Sequence, residues 1–136
     1  MIKLLDVYKE IFSRLKTLPY RVYDEVPDKP SNPHIRIDYS YNLDRSGKNY
    51  GGTTYYQYIH VFSEYSGRKE ALQMVDDIME ILSEDLETDD FVAYPFLDNN
   101  EVITESANTG GDKTGYNINK FYRHVILVYK YVIYEK

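Results

Sequence analysis

Two stretches of the chain repeat their apolar residues every three or four positions, and several others repeat them every second position. In residues 2–18, Leu5, Tyr8, Phe12 and Leu15, flanked by Leu4, Ile11 and Leu18, gather on one side of a helical projection, and Lys3, Asp6, Lys9, Glu10, Ser13 and Arg14 fill the rest. That spacing predicts an amphipathic helix burying one face. Pro19 has no backbone N–H to donate and biases Leu18 away from helical ψ, so the helix stops there. A second helix is predicted to about Ser83, capped by Ser66 or Gly67, with Ala71, Leu72, Val75, Ile78, Met79 and Leu82 as its stripe.

Between the helices the period shortens to two. Ile35, Ile37, Tyr39 and Tyr41 alternate with His34, Arg36, Asp38 and Ser40, the mark of a half-buried strand, and residues 55–62 read the same way. Residues 20–26 suggest a short strand, after which Pro27, Pro30 and Pro33 impose an extended connector. Residues 42–54 hold Gly47, Gly51 and Gly52 among polar neighbours and read as a long hairpin loop, a length uncommon without a function. After the second helix comes an acidic linker, Glu84, Asp85, Glu87, Asp89 and Asp90, whose charges oppose the helix dipole. Residues 91–97 and 102–107 suggest two short strands around a turn at Asp98, Asn99 and Asn100. A second glycine-rich loop is expected over residues 108–117, followed by a long strand over 118–134 with Val125, Leu127, Tyr129, Tyr131 and Ile133 on one face. The expected class is α+β: one domain over residues 1–136, with a mostly antiparallel sheet of four to five strands, two helices on one face and two projecting loops.

Composition narrows the function classes. The 136 residues suit one core. With no cysteine, disulfides, thiolate metal sites and cysteine nucleophiles are excluded, and the chain is compatible with a reducing cytoplasm. A net charge of −6 argues against a nucleic-acid or anionic-membrane binder. No apolar run is long enough to span a bilayer, and the N-terminal residues lack the features of a signal peptide, so a protein neither membrane-bound nor exported is expected.

Candidate chemistry is sparse. His34, His60 and His124 all fall in predicted strands but far apart in sequence, and no carboxylate stands at a ligand spacing, so no metal is expected. Asp76 and Asp77 diverge by about 100° on a helix and cannot act as an acid–base pair. There is no Gly-x-Ser-x-Gly elbow, no Ser-x-x-Lys and no phosphate-binding loop, so neither an enzyme nor a cofactor is expected. The tyrosines stand out: 16 of them, with no tryptophan, concentrated in strands. Neighbours such as Tyr55 and Tyr56 must point to opposite faces, so part of this aromatic surface lies outside the core and suits a protein interface.

The order of short motifs is informative. Val22-Tyr23-Asp24-Glu25-Val26-Pro27, then Pro33-His34-Ile35, then the strand from Tyr58 to Phe62, then Gly67-Arg68-Lys69-Glu70-Ala71 opening the second helix, resembles the tail-completion, or tail-terminator, proteins of bacteriophages with long non-contractile tails. The resemblance covers nearly the whole chain and is densest in the first 80 residues, with neither long loop included. It implies a non-enzymatic α+β virion protein that caps the head-proximal end of the tail tube as a ring, expected to be hexameric, and docks the head connector. It also implies a free protein that stays monomeric in the host cytoplasm and forms its ring on the tube end. The expected partners are other copies of the chain, the tail tube protein and the head connector protein, with double-stranded DNA passing through unbound and no membrane contact. Loops that order only on meeting a partner suit that role. On this view Asp44, Arg45, Lys48 and Tyr50 of the first loop, and Asp112, Lys113 and Tyr116 of the second, are the interface residues. Two other readings share the same composition: a head-side connector component, such as an adaptor or stopper, and a soluble protein-binding module outside any virion.

Overall fold

The computed structural model describes residues 2–25, 30–45, 47, 51–64, 68–106 and 121–136, with backbone alone for 101–106 and 121–122. The elements run α1 (Leu4–Leu15), β1 (Arg21–Tyr23), β2 (His34–Asp44), β3 (Gly52–Ser63), α2 (Lys69–Ile81), β4 (Leu86–Glu87), β5 (Phe91–Ser106) and β6 (Phe121–Glu135). The strands form one sheet in the order β1-β2-β3-β6-β5-β4. Every junction is antiparallel except β1–β2, which is parallel. The class is α+β as expected, but the sheet has six strands and is mixed rather than four or five strands with antiparallel pairing throughout. The surplus comes from the two short edge pieces. β1 reaches its parallel register through the connector that follows it, and β4 forms inside the acidic stretch because Leu86 is fully buried and anchors it beside Ala93.

Two expectations about strand boundaries are corrected. The 42–54 stretch is strand at both ends: Asp44 pairs with Thr53, and the Arg45 N–H donates to the Gly52 carbonyl at 2.8 Å, leaving a connection of residues 45–51. Its base is pinched by the C-terminal end of β6, whose Glu135 N–H donates to the Gly51 carbonyl at 2.9 Å. A Cβ at Gly51 would stand 3.2 Å from the Glu135 Cβ, so any larger residue there would have to push the strand ends apart by a few tenths of an ångström. The turn expected at residues 98–100 is instead a bulge within a single strand. Leu97 faces Tyr129 and Asn99 faces Val128, which leaves Asp98 as the extra residue. The unbroken β6 supplies a continuous template, so a polar Asp-Asn-Asn run that would turn a free chain only kinks a paired one.

The second bulge has more effect. Ile37 faces Ile59 while Ser40 faces Gln57, so Asp38 and Tyr39 together oppose Tyr58. The alternation read through residues 35–41 therefore breaks: Ile35 and Ile37 are buried, whereas Tyr39 and Tyr41 emerge on the other face, 60% and 36% exposed.

Both helices pack on one face. Val7, Ile11 and Leu15 of α1 and Ala71, Met74, Val75 and Ile78 of α2 join Ile35, Ile59, Val61, Leu127 and Ile133 in one cluster. Each fully buried side chain of this kind contributes roughly 1.5–3 kcal/mol. The five residues 125–133 expected on one face of β6 are all buried. The helical stripes are rotated slightly from the sequence reading. Val7 and Met74 lie at the centre, while Leu5, Leu72 and Met79 are exposed. α2 begins after Arg68, with no side-chain cap bond; Ser66 and Gly67, expected to cap it, lie outside the described residues.

Candidate interaction surface

The sheet face opposite the helices is covered by no other element among the described residues, and strand alternation fills it with aromatic rings. Tyr41 of β2 and Tyr56 of β3 are directly paired and stack at 4.6 Å between centroids. Tyr39 meets Tyr58 edge-on at 5.5 Å and lies 5.7 Å from Tyr41. Across the sheet, Tyr94 of β5 meets Tyr134 of β6 edge-on at 6.1 Å. Leu43 and Phe96, each 54% exposed, extend the apolar surface toward the two sides. Rings that are stacked yet wet combine apolar area with a hydrogen-bonding tip, the chemistry of a protein interface.

At the end of the same face where β2 begins, the three histidines converge around Phe62. His34 and His124 stack on that ring at 4.8 and 4.3 Å. His60 Nδ1 and His124 Nε2 are 2.5 Å apart and share a hydrogen bond, and His60 Nε2 stands 3.1 Å from Asp38 Oδ2. The Arg36 guanidinium lies over Phe62 at 4.9 Å. Burial, reinforced by Arg36, pushes the His34 imidazole down to about 4. His34 Nδ1 lies 2.8 Å from Asn32 Oδ1, and Asn32 Nδ2 donates to Glu64 Oε1 at 2.7 Å. Sequence separation hid this cluster. It assembles because β2, β3 and β6 are neighbours, with His34 opposite Phe62 and Phe62 opposite His124. Among the described residues no group of three or more histidines or carboxylates is arranged to hold a metal ion.

Of the interface residues expected from the sequence, Asp44 ends β2, and the Arg45 guanidinium lies 5.1 Å above the Tyr134 ring, at the margin of the open face. Lys48, Tyr50, Asp112, Lys113 and Tyr116 lie outside the described residues. The strands flanking the two connections end at opposite ends of the sheet. Asp44 and Gly52 lie beside the C-terminal end of β6, whereas Ser106 and Phe121 pair beyond Ser63 and Arg123.

Other singled-out groups are tied into the structure. Asp77 accepts a hydrogen bond from the Tyr20 phenol at 2.5 Å and one from Gln73 Nε2 at 3.0 Å. Burial and this carboxylate push the Tyr20 phenol up to about 12. Tyr8 donates to Asp24 at 2.6 Å. In the acidic linker, the Glu84 and Asp85 carbonyls each accept from the Arg14 guanidinium at 2.9 Å, and Lys136 Nζ donates to Glu87 Oε1 at 2.6 Å. The linker thus holds α1 and the chain end against the sheet. No described helix is long and apolar enough to cross a membrane.

Comparison with known proteins adds two findings. The family described as tail completion protein gp17 matches the chain over residues 9–126. A chain in the solved structure titled "Virion of native gene transfer agent (GTA) particle" has the same fold, with a TM-score of 0.68 at 18% identity, covering 93% of this chain and 92% of that one. No curated protein sequence matches the chain.

Proposed function

The chain belongs to the tail completion protein gp17 family, structural components of phage tails, and from that premise we propose that it caps the head-proximal end of the tail tube as a ring and docks the head connector. The observation carrying this reading is the family match, which spans residues 9–126 and so includes part or all of every element. Two features of the fold support it. An adaptor between two assemblies needs contacts at two ends, and the connections 45–51 and 107–120 leave the sheet at opposite ends. A ring subunit also needs surface beyond its own core, and the open tyrosine face supplies it.

In this reading Asp44, Arg45, Lys48 and Tyr50 meet one neighbour along the tail axis, and Asp112, Lys113 and Tyr116 meet the other, the tube protein at one end and the head connector at the other. Polar, glycine-containing segments that order on contact tie assembly to the presence of the partner. Six copies of a chain with charge −6 carry a formal −36, while the passing duplex carries one negative charge per ~1.7 Å, so repulsion keeps DNA from adhering to the channel.

The experiment is reconstitution. Purified protein is added to assembled tails that lack it, and electron microscopy scores a new ring at one end together with the capacity to join filled heads. Deletion of residues 46–50 or of 109–116 is expected to leave a folded monomer that does not complete tails. Normal head joining by both deletion variants would refute the assignment of these contacts. Binding to emptied heads in preference to tubes would instead place the protein on the head side.

A further inference from the structure

We infer that copies of this chain join edge to edge, with the outer edge of β2 in one copy pairing antiparallel with the outer edge of β5 in the next, so that their sheets merge into one continuous band. The inference deepens the ring reading and rests on it.

The two lateral edges of the sheet are only partly covered. β1 pairs with His34, Ile35 and Arg36 alone, so residues 38–43 of β2 have no strand neighbour on that side among the described residues. β4 pairs with Val92 and Ala93 alone, so β5 from residue 94 to 106 is equally bare on the other side. Long uncovered edges are templates for pairing, and proteins usually blunt them. Here β5 is blunted only near its start, by Pro95, which has no N–H, and by the bulge at Asp98. Residues 99–106 remain regular.

The bare stretches complement each other in direction, length and place. β2, β3, β6 and β5 alternate in direction, so a copy added sideways presents its β5 antiparallel to β2. Six residues face eight. The covered and uncovered parts also interlock. β1 occupies the start of β2 and β4 the start of β5, and these starts lie at opposite ends of the sheet. The β5 of the next copy therefore fits above β1 only when that copy is displaced along the strands. Opposed residues in one sheet must point to the same face. Leu43 and Asn99 both point to the open face; Leu43 lies level with Thr54 of β3 and Asn99 with Tyr58, four residues away. Four residues amount to a stagger of about 14 Å, and the four long strands to a width of about 19 Å. A band built from that step closes on itself when its strands tilt by about 36°, inside the roughly 35–45° range of closed sheets. Six such copies form a ring about 45 Å across at the sheet.

A receptor for the incoming strand is present. Beside the β2 edge, the first turns of α1 leave an open groove lined by Leu4, Leu5, Tyr8 and Tyr55. Leu5, one of the stripe residues that misses the core, is 60% exposed. The neighbour's β5, pairing beside this edge, would cover it. The association is heterologous, because the two surfaces differ, and that is the interface type that generates rings.

The absence of cysteine makes the test direct. The stagger puts Leu43 of one copy beside Asn99 of the next, both on the open face, and Asn100 points to the opposite face. Leu43→Cys is combined separately with Asn99→Cys and with Asn100→Cys, added to tails lacking the protein, and oxidised. Within one chain β2 and β5 are about 14 Å apart, three strand spacings, too far for a disulfide, so every link joins two copies. The Leu43–Asn99 pairing is expected to convert most of the tail-bound protein to a covalent ladder ending at the ring size, at least tenfold more than the Leu43–Asn100 pairing. Under reducing conditions both variants should form rings as the unaltered chain does, which verifies their fold. Rings that appear normally but link in neither pairing, in both equally, or preferentially through Asn100, overturn edge pairing in this register and leave the ring reading intact. Reduced, folded protein that forms no ring on any tube overturns both.

Discussion

The two faces of the sheet are built from the same strands, yet they obey different rules. The helix-covered face is dry, with Ile11, Ile59, Leu127, Ile133 and even Tyr131 fully buried. The open face is aromatic and partly wet, with Tyr39 and Phe96 more than half exposed and the histidine end sealed, where His34 and His124 lie against Phe62. The first face specifies the fold, and each of its residues is held by neighbours within the chain. The second keeps ring area in water, beyond what the fold of the single chain requires.

Three measurements test that contrast. The largest effect is expected on the covered face. Leu127→Ala leaves a cavity in the middle of β6 and should destabilise the protein by about 2–5 kcal/mol, read from the urea midpoint. An intermediate effect is expected at the sealed end of the open face. His34 is buried neutral at a value near 4, whereas the unfolded chain titrates near 6.5. Between those limits the unfolded state binds the additional proton, so stability rises with pH across this window and is lost as pH falls from 6.5 to 4. The loss should amount to about 1–3 kcal/mol, and it should be absent in His34→Phe when both chains are unfolded in urea at pH 7 and at pH 4.5. The smallest effect is expected at the wet rings. Tyr39→Ala should change stability by less than about 1 kcal/mol, the scale of an exposed cross-strand contact. If Tyr39→Ala costs as much as Leu127→Ala, the two faces do not differ in the way described.

The parts legible in the sequence were those set by local period. Both helices, the middle of β3 and the buried face of β6 follow from spacing, because burial on one side imposes 3.6 or 2 on the apolar residues. What escaped depends on partners distant along the chain. The parallel β1–β2 junction and the two-residue β4 exist only through their neighbours. The bulge at Asp98 looks in sequence like a turn, and only the continuous β6 opposite makes it a kink. The convergence of His34, His60 and His124 needs the registers of three strands at once. The tyrosine excess did signal a surface, but the face occupied by Tyr39 and Tyr41 was hidden by one additional residue in β2. The short motifs in the first 80 residues, read in order, identified the family that the match over residues 9–126 bears out.

That additional residue also governs how β2 can change over evolutionary time. Because Asp38 and Tyr39 share a single opposite number, Tyr58, losing either one would straighten the strand and still leave Tyr41 and Leu43 pointing outward. Losing any one of the residues from His34 to Ile37 instead shifts the inward Ile35 and Ile37 pattern by one place against β3. The kink is thus a tolerant joint, the position in this strand where lineages can differ in length by one codon without turning the aromatic surface inside out.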